Sequence, residues 1–181
     1  MSKKKIQLIF LGESGVGKSS IIDKVLELDY IKYKQIGTNN LASIELNYKD
    51  KDYEIFLRNI KGYENNKEYV KFILDTYDGC FVIFDLTDEN SLNTINDWIQ
   101  LIKFKKQNSI KIIILGNKKD LKNDRIQKDI IKNKLKEFDN ITYLKVSAKD
   151  NINIKEAIER MIDLVEGNAI IGIKNKSCLC C

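Results

Sequence analysis

The segment GESGVGKSS, residues 12–20, has the spacing G-x-x-x-x-G-K-[ST] and follows directly on the apolar run KIQLIFLG. Residues of these types in this order hold phosphate. Gly15 and Gly17 admit backbone conformations in which successive N–H groups converge on one anion. Ser14, Gly15, Val16, Gly17, Lys18, Ser19 and Ser20 are therefore the expected phosphate-binding residues. Lys18 brings a positive charge to the outer phosphates, Ser19 is placed to ligate Mg²⁺, and the N-terminus of the following helix adds its dipole. The spacing and the strand-to-helix context outweigh the alternative of an ordinary glycine-containing turn.

A second motif selects the base. GNKKD, residues 116–120, ends the apolar run IKIIILGN and brings Asn117, Lys118 and Asp120 to a strand end. An Asp120 carboxylate can accept from both N1–H and the exocyclic amine of guanine. Adenine offers an acceptor at N1 and would be rejected, and hydrogen-bond discrimination of this kind reaches roughly 10⁴–10⁵. Lys118 can lay its stem on the base. Residues 147–149, SAK, end the last apolar run. There Ser147 and Ala148 are candidates for the base pocket, Ala148 through its N–H to guanine O6, and Lys149 can cover the base. Tyr30, a short way past the first predicted helix, either packs on the base or ribose or belongs to core or surface. An ATP-using P-loop kinase is disfavoured by Asp120.

The elements that must position these residues are legible from periodicity. KIQLIFLG, GCFVIFDL, IKIIILGN and ITYLKVSA are short apolar runs suited to buried strands, and LASIELNY and YEIFLRN alternate with period two around KDKD, as a hairpin does. A helix is expected from about Lys18, and others over 65–77, near 128–137 and over NIKEAIERMIDLVEG. SLNTINDWIQLIKF places Leu92, Ile95, Ile99 and Ile102 on one helical face. Strands alternating with helices predict an α/β fold of three layers: a six-stranded, mostly parallel sheet with one antiparallel edge strand and helices on both faces. Ligands of such sheets bind beyond the strand carboxyl ends, where all three motifs lie.

Composition narrows the classes further. The 181 residues suit one domain, and 43% apolar content is ordinary for a globular chain. The net charge of +5 comes nearly all from Lys interspersed with Asp and Glu, which argues against nucleic acid but suits an anionic membrane face. With no histidine, His-based acid–base catalysis and His metal sites are excluded. No signal peptide, membrane span or myristoylation start is expected. Of four cysteines, Cys80 lies in an apolar run and reads as core, while Cys178, Cys180 and Cys181 crowd the end of the chain.

GESGVGKSS, GNKKD and SAK, in this order and spacing, resemble a small GTPase of the Ras superfamily, and FDLTDENSLNTINDWIQLIK with the terminal CLCC resembles the Rab branch. The resemblance runs from about Lys5 to Gly167. It implies the three-layer P-loop NTPase fold and a monomeric guanine-nucleotide (GTP/GDP) switch with Mg²⁺ over residues 1–168, followed by a short tail over 169–181. It further implies geranylgeranyl lipid on Cys180 and Cys181, and action on the cytoplasmic face of an internal membrane with a cytosolic pool. The implied partners are an exchange factor, a GTPase-activating protein, a prenyl-escort protein and effectors. Lys174 and Lys176 would add attraction to the membrane, and Cys178 is a candidate for palmitoylation.

The departures from the family pattern cluster where the γ-phosphate is sensed. The family's W-D-T-A-G-Q-E reads RNIKGYE at 58–64. Arg58 stands for Trp, which predicts a different choice of effector. Asn59 stands for the Asp that supports Mg²⁺ through its water shell; an amide brings no charge, so the metal should be held more weakly. Tyr63 stands for the Gln that orients the attacking water, a contact a phenol cannot reproduce. Gly62 keeps its N–H for a γ-phosphate. The Thr that ligates Mg²⁺ in the family has no clear counterpart: Gln35 precedes Ile36-Gly37, and Thr38 is within one residue of the expected place. Two functions follow: a switch with slow intrinsic hydrolysis, or a lipid-anchored GTP-binding adaptor that scarcely hydrolyses.

Overall fold

A computed structural model of the protein describes residues 3–37, 40–62, 64–106, 110–121, 126–138 and 141–168. Its centre is β1 (Lys4–Leu11), flanked by β4 (Lys51–Asn59) and β5 (Gly79–Asp85), both parallel to it. β6 (Lys111–Asn117) and β7 (Thr142–Lys145) continue the parallel sheet beyond β5. On the other side β3 (Leu41–Tyr48) pairs antiparallel with β4, and β2 (Ile31–Ile36) antiparallel with β3. The full order is β2-β3-β4-β1-β5-β6-β7.

The sheet thus has seven strands rather than the expected six. The antiparallel strand β3 is internal, and the edge is β2, where no strand was expected. The reason is physical. IKYKQI alternates only over Ile31, Lys32, Tyr33 and Lys34, the two lysines exposed, before Gln35-Ile36 breaks the period, which leaves too short a run to read as a strand. Lysines on an edge strand deter pairing with another chain, and Lys32 is further held by Asp52 at 2.8 Å. The SAK segment consequently follows the seventh strand.

Each apolar run splits by alternation into two cores. Ile6, Leu8 and Phe10 of β1, Phe81 and Ile83 of β5, and Ile113 and Leu115 of β6 face one side. There they meet α1 (Lys18–Leu26) through Ile21 and Val25, and α6 (Ile154–Val165) through Ala157, Ile158, Met161 and Ile162. Ile9, Leu11, Cys80, Val82, Phe84 and Ile114 face the other side. That side is covered by α2 (Lys67–Ile73), α3 (Glu89–Asn93), α4 (Ile95–Lys106) and α5 (Lys128–Leu135). The predicted face of Leu92, Ile95, Ile99 and Ile102 is buried there. The expected helix at 65–77 is α2 followed by a 3₁₀ turn, Leu74–Thr76. Cys80 is fully buried, and burial pushes its thiol pKa up. Among the described residues no helix is long and apolar enough to cross a membrane.

Candidate functional site

The carboxyl ends of β1, β4, β5, β6 and β7 share one rim, because these five strands run in the same direction. The loop after β1 turns into α1 through Gly17, whose φ of 99° is left-handed. A Cβ at Gly17 would stand 2.2 Å from Asn117 Nδ2, so only glycine lets the loop after β1 and the end of β6 touch. The contact is a hydrogen bond: Asn117 Nδ2 donates to Val16 O at 2.9 Å, and Asn117 Oδ1 accepts from Ala148 N at 3.1 Å. One buried amide therefore ties GESGVGKSS, GNKKD and SAK together.

The expected base-reading residues are braced around it. Asp120 Oδ1 accepts from Ser147 Oγ at 2.6 Å, and Ser147 Oγ accepts from Asp150 N at 3.0 Å. Lys149 Nζ stands 3.9 Å from Asp120 Oδ2. Lys118, at φ 68°, places its ammonium 2.6 Å from Asp85 Oδ2 at the end of β5. Burial works to raise the Asp85 pKa, but the Lys118 ammonium and the Thr87 N–H and hydroxyl outweigh it and hold it below the usual range. Asp85 was not singled out beforehand. Its signal was an acid ending the apolar run GCFVIFD, the place where ligand-facing residues are expected. Tyr30 is not in this group. Its ring packs against the core shared by α1 and α6, with Lys155 Nζ 4.6 Å from the ring centroid. Among the described residues its hydroxyl is buried without a hydrogen-bond partner, and burial pushes the phenol far up.

On the phosphate side Lys18 is buried, and its three N–H donors are all satisfied. They reach Gly12 O at 3.0 Å, Glu13 O at 2.7 Å and Glu64 Oε1 at 2.9 Å. Glu64 Oε2 accepts from Gly62 N at 2.8 Å. Burial would raise the Glu64 pKa, yet the bond from Lys18, backbone N–H donors and the ammonium charge together lower it. The carboxylate thus occupies the point where the two donors expected to meet an outer phosphate converge. Glu64 stood in the sequence only as a matching letter of RNIKGYE; that it bonds a residue 46 positions away is a tertiary fact. Glu13 Oε1 accepts from Trp98 Nε1 at 3.2 Å, which links the loop to α4.

Asn59 ends β4 next to Ser19. Its Nδ2 donates to Ser19 Oγ at 2.8 Å, and its Oδ1 accepts from Lys61 N at 3.1 Å. With Nδ2 turned to Ser19, the amide presents its hydrogens rather than its oxygen to the Ser19 hydroxyl. Arg58 turns to the hydroxyl of Tyr69 at 2.7 Å. Thr38, Tyr63, Cys178, Cys180, Cys181, Lys174 and Lys176 lie outside the described residues. Gly37 N, beside Thr38, donates to Leu41 O at 2.8 Å across the turn from β2 to β3.

A mostly parallel sheet carrying a G-x-x-x-x-G-K-S loop bonded to an N-K-x-D strand end defines a P-loop nucleotide-binding domain. The model of the Ras family matches residues 7–167. The chain is 28% identical over 162 residues to Ras-related protein Rab-7b of Mus musculus, covering 87% of this chain and 80% of that protein. It is 25% identical over 161 residues to Ras-related protein Rab-3A of Homo sapiens, covering 88% and 73%. For Ras-related protein Rab-3C of Mus musculus the identity is 26% over 161 residues, covering 88% and 70%. The chain belongs to the Ras family and is a Rab-type small GTPase of the Ras superfamily. Members of this family are GTPases that use GTP/GDP and Mg²⁺.

Proposed function

We propose that the protein is a guanine-nucleotide-binding Rab-like switch in vesicle and membrane traffic, with slow intrinsic GTP hydrolysis. The observation that carries this reading is the Asn117 amide, which joins Val16 O to Ala148 N and so sets the phosphate loop and the base-reading segment in fixed relation. In the bound state the main chain of residues 14–20 and the Lys18 ammonium hold the phosphates. Asp120, braced by Ser147, reads the guanine Watson–Crick edge. The N–H of Ala148 meets O6, and the stems of Lys118 and Lys149 flank the ring. An outer phosphate takes the place of the Glu64 carboxylate on Lys18 and Gly62 N. This exchange of one anion for another leaves neither donor unpaired.

Hydrolysis is slow because no Gln stands at 63 to orient water, and intrinsic rates in this chemistry are low without a partner's contribution. Single-turnover phosphate release from GTP-loaded protein, with and without candidate activators, tests the reading; release no faster than uncatalysed GTP under both conditions refutes it. Asn59 and Tyr63 favour a second reading, a lipid-anchored GTP-binding adaptor. It predicts that Asn59→Asp with Tyr63→Gln raises turnover markedly, and wild-type turnover at ordinary small-GTPase levels rules it out.

Residues 1–168 form the nucleotide domain in this reading, and 169–181 the tail that carries geranylgeranyl on Cys180 and Cys181. Two lipids give stable anchoring where one is marginal. The protein then works as a monomer at the cytoplasmic face of an internal membrane and exchanges with a cytosolic pool. Its partners are an exchange factor, a GTPase-activating protein, a prenyl-escort protein and effectors. Vesicle sedimentation of prenylated protein, against the Cys180→Ser, Cys181→Ser double variant, checks the anchor; equal binding of the two removes it.

A further inference from the structure

The contact between Ser19 and Asn59 has a polarity opposite to the one a divalent cation needs. Asn59 is 6% exposed, and its amide orientation is set by a neighbour. Lys61 N–H lies 3.1 Å from one arm of the amide, and an N–H can be met only by oxygen, so that arm is Oδ1. The other arm is therefore the NH₂ group, which donates to Ser19 Oγ at 2.8 Å. A cation on Ser19 Oγ would face these amide hydrogens. Its water ligands, which point their own hydrogens outward, would find donors where they need acceptors. Turning the amide over would offer Oδ1 to the metal shell but set NH₂ against the Lys61 N–H. A carboxylate escapes the choice, since both its oxygens accept. Among the described residues no group of three or more His, Cys, Asp or Glu could hold a metal ion instead. Among the described residues, the Ser19–Asn59 arrangement does not fit a tightly held Mg²⁺.

We propose that Asn59 makes the nucleotide site of this protein nearly indifferent to Mg²⁺, with the phosphates held by the Lys18 ammonium and the loop amides. The inference rests on the guanine-nucleotide reading above. It concerns retention of nucleotide, so its readout is independent of hydrolysis. Full-length protein is loaded with a fluorescent methylanthraniloyl-GDP. Release into excess unlabelled GDP is then followed over a series of free Mg²⁺ concentrations set with EDTA. Outer-shell partners of a metal typically contribute about 10–100-fold to its affinity. Asn59→Asp should therefore lower the Mg²⁺ concentration that slows release by about that factor, while wild-type release changes by less than about threefold across the series. Wild-type release that EDTA accelerates about tenfold or more overturns the proposal, a result that needs no folded variant. Equal indifference in Asn59→Asp also overturns it, because Asn59 is then not the cause. Failure to bind the labelled GDP at any Mg²⁺ concentration is a different result: it removes the guanine reading, and this inference with it.

Discussion

Gly17 and Asn117 meet so closely that Gly17 cannot gain a side chain while Asn117 keeps its own. Gly17→Ala puts a Cβ 2.2 Å from Asn117 Nδ2 at a left-handed φ of 99°. Strain of this kind costs about 1–3 kcal/mol, to be read as a lower urea midpoint, and nucleotide affinity should fall with it. Because the two residues share one contact, Gly17→Ala with Asn117→Ala should cost less than the sum of the single changes. Strict additivity would show that the contact is not what makes Gly17 necessary. Glu64 is the second case. Its lowered pKa means that the folded state prefers the carboxylate. The stability this contributes is complete above the ordinary glutamate pKa of about 4.3 and is lost as pH falls through the depressed folded value. In the nucleotide-free protein Glu64→Ala should cost about 1–3 kcal/mol at neutral pH, since Gly62 N–H loses its acceptor and Lys18 its counter-charge. The gap between wild type and variant should then close in acid; a gap independent of pH from 7 down to about 3 would mean that the carboxylate charge is not what stabilises the pair.

At the scale of elements, α4 is more than a cover for the sheet. Trp98 is fully buried, its Nε1–H reaches Glu13 of the phosphate loop, and Lys67 of α2 stands 3.5 Å from its ring centroid. Trp98→Ala should cost about 3–5 kcal/mol, and Trp98→Phe, which loses the N–H donor and leaves a smaller cavity, about 1–3. Nucleotide release that Trp98→Phe leaves untouched would show that α4 does not steady the loop. The same scale explains what was legible beforehand. The buried strands and the Leu92–Ile102 face were readable because one-sided burial imposes a period, and the phosphate and base motifs because backbone geometry demands particular residues at fixed spacing. β2 escaped because its alternation runs only from Ile31 to Lys34 before Gln35-Ile36 breaks it. Asp85, Glu64 and the turned amide of Asn59 escaped for another reason. Each depends on a partner that only the folded chain brings near: Lys118 for Asp85, Lys18 for Glu64, and Lys61 N–H for the orientation of Asn59.

In the whole molecule, five parallel strand ends deliver the phosphate loop, Asn59, Asp85, Asn117 and Ser147 to one rim, each from a separate strand. A ligand that bridges them joins both cores. β1 and β5 send alternate residues to each core, and α1, which follows the phosphate loop, belongs to one while α4, which holds Glu13, belongs to the other. Nucleotide should accordingly stabilise the domain as a unit rather than one face of it. At about 100 times its dissociation constant a ligand adds about 2.7 kcal/mol, which for a chain of this size raises Tm by roughly 5–11 °C. GDP should produce that shift in a single sharper transition, and ADP at the same concentration should produce none, because Asp120 would face the N1 acceptor of adenine. If the Asn59 inference is correct, EDTA should leave most of the GDP shift in place, and Asn59→Asp should make the shift depend on Mg²⁺. A shift of equal size with ADP would place the affinity in the phosphates alone and remove Asp120 as the residue that reads the base.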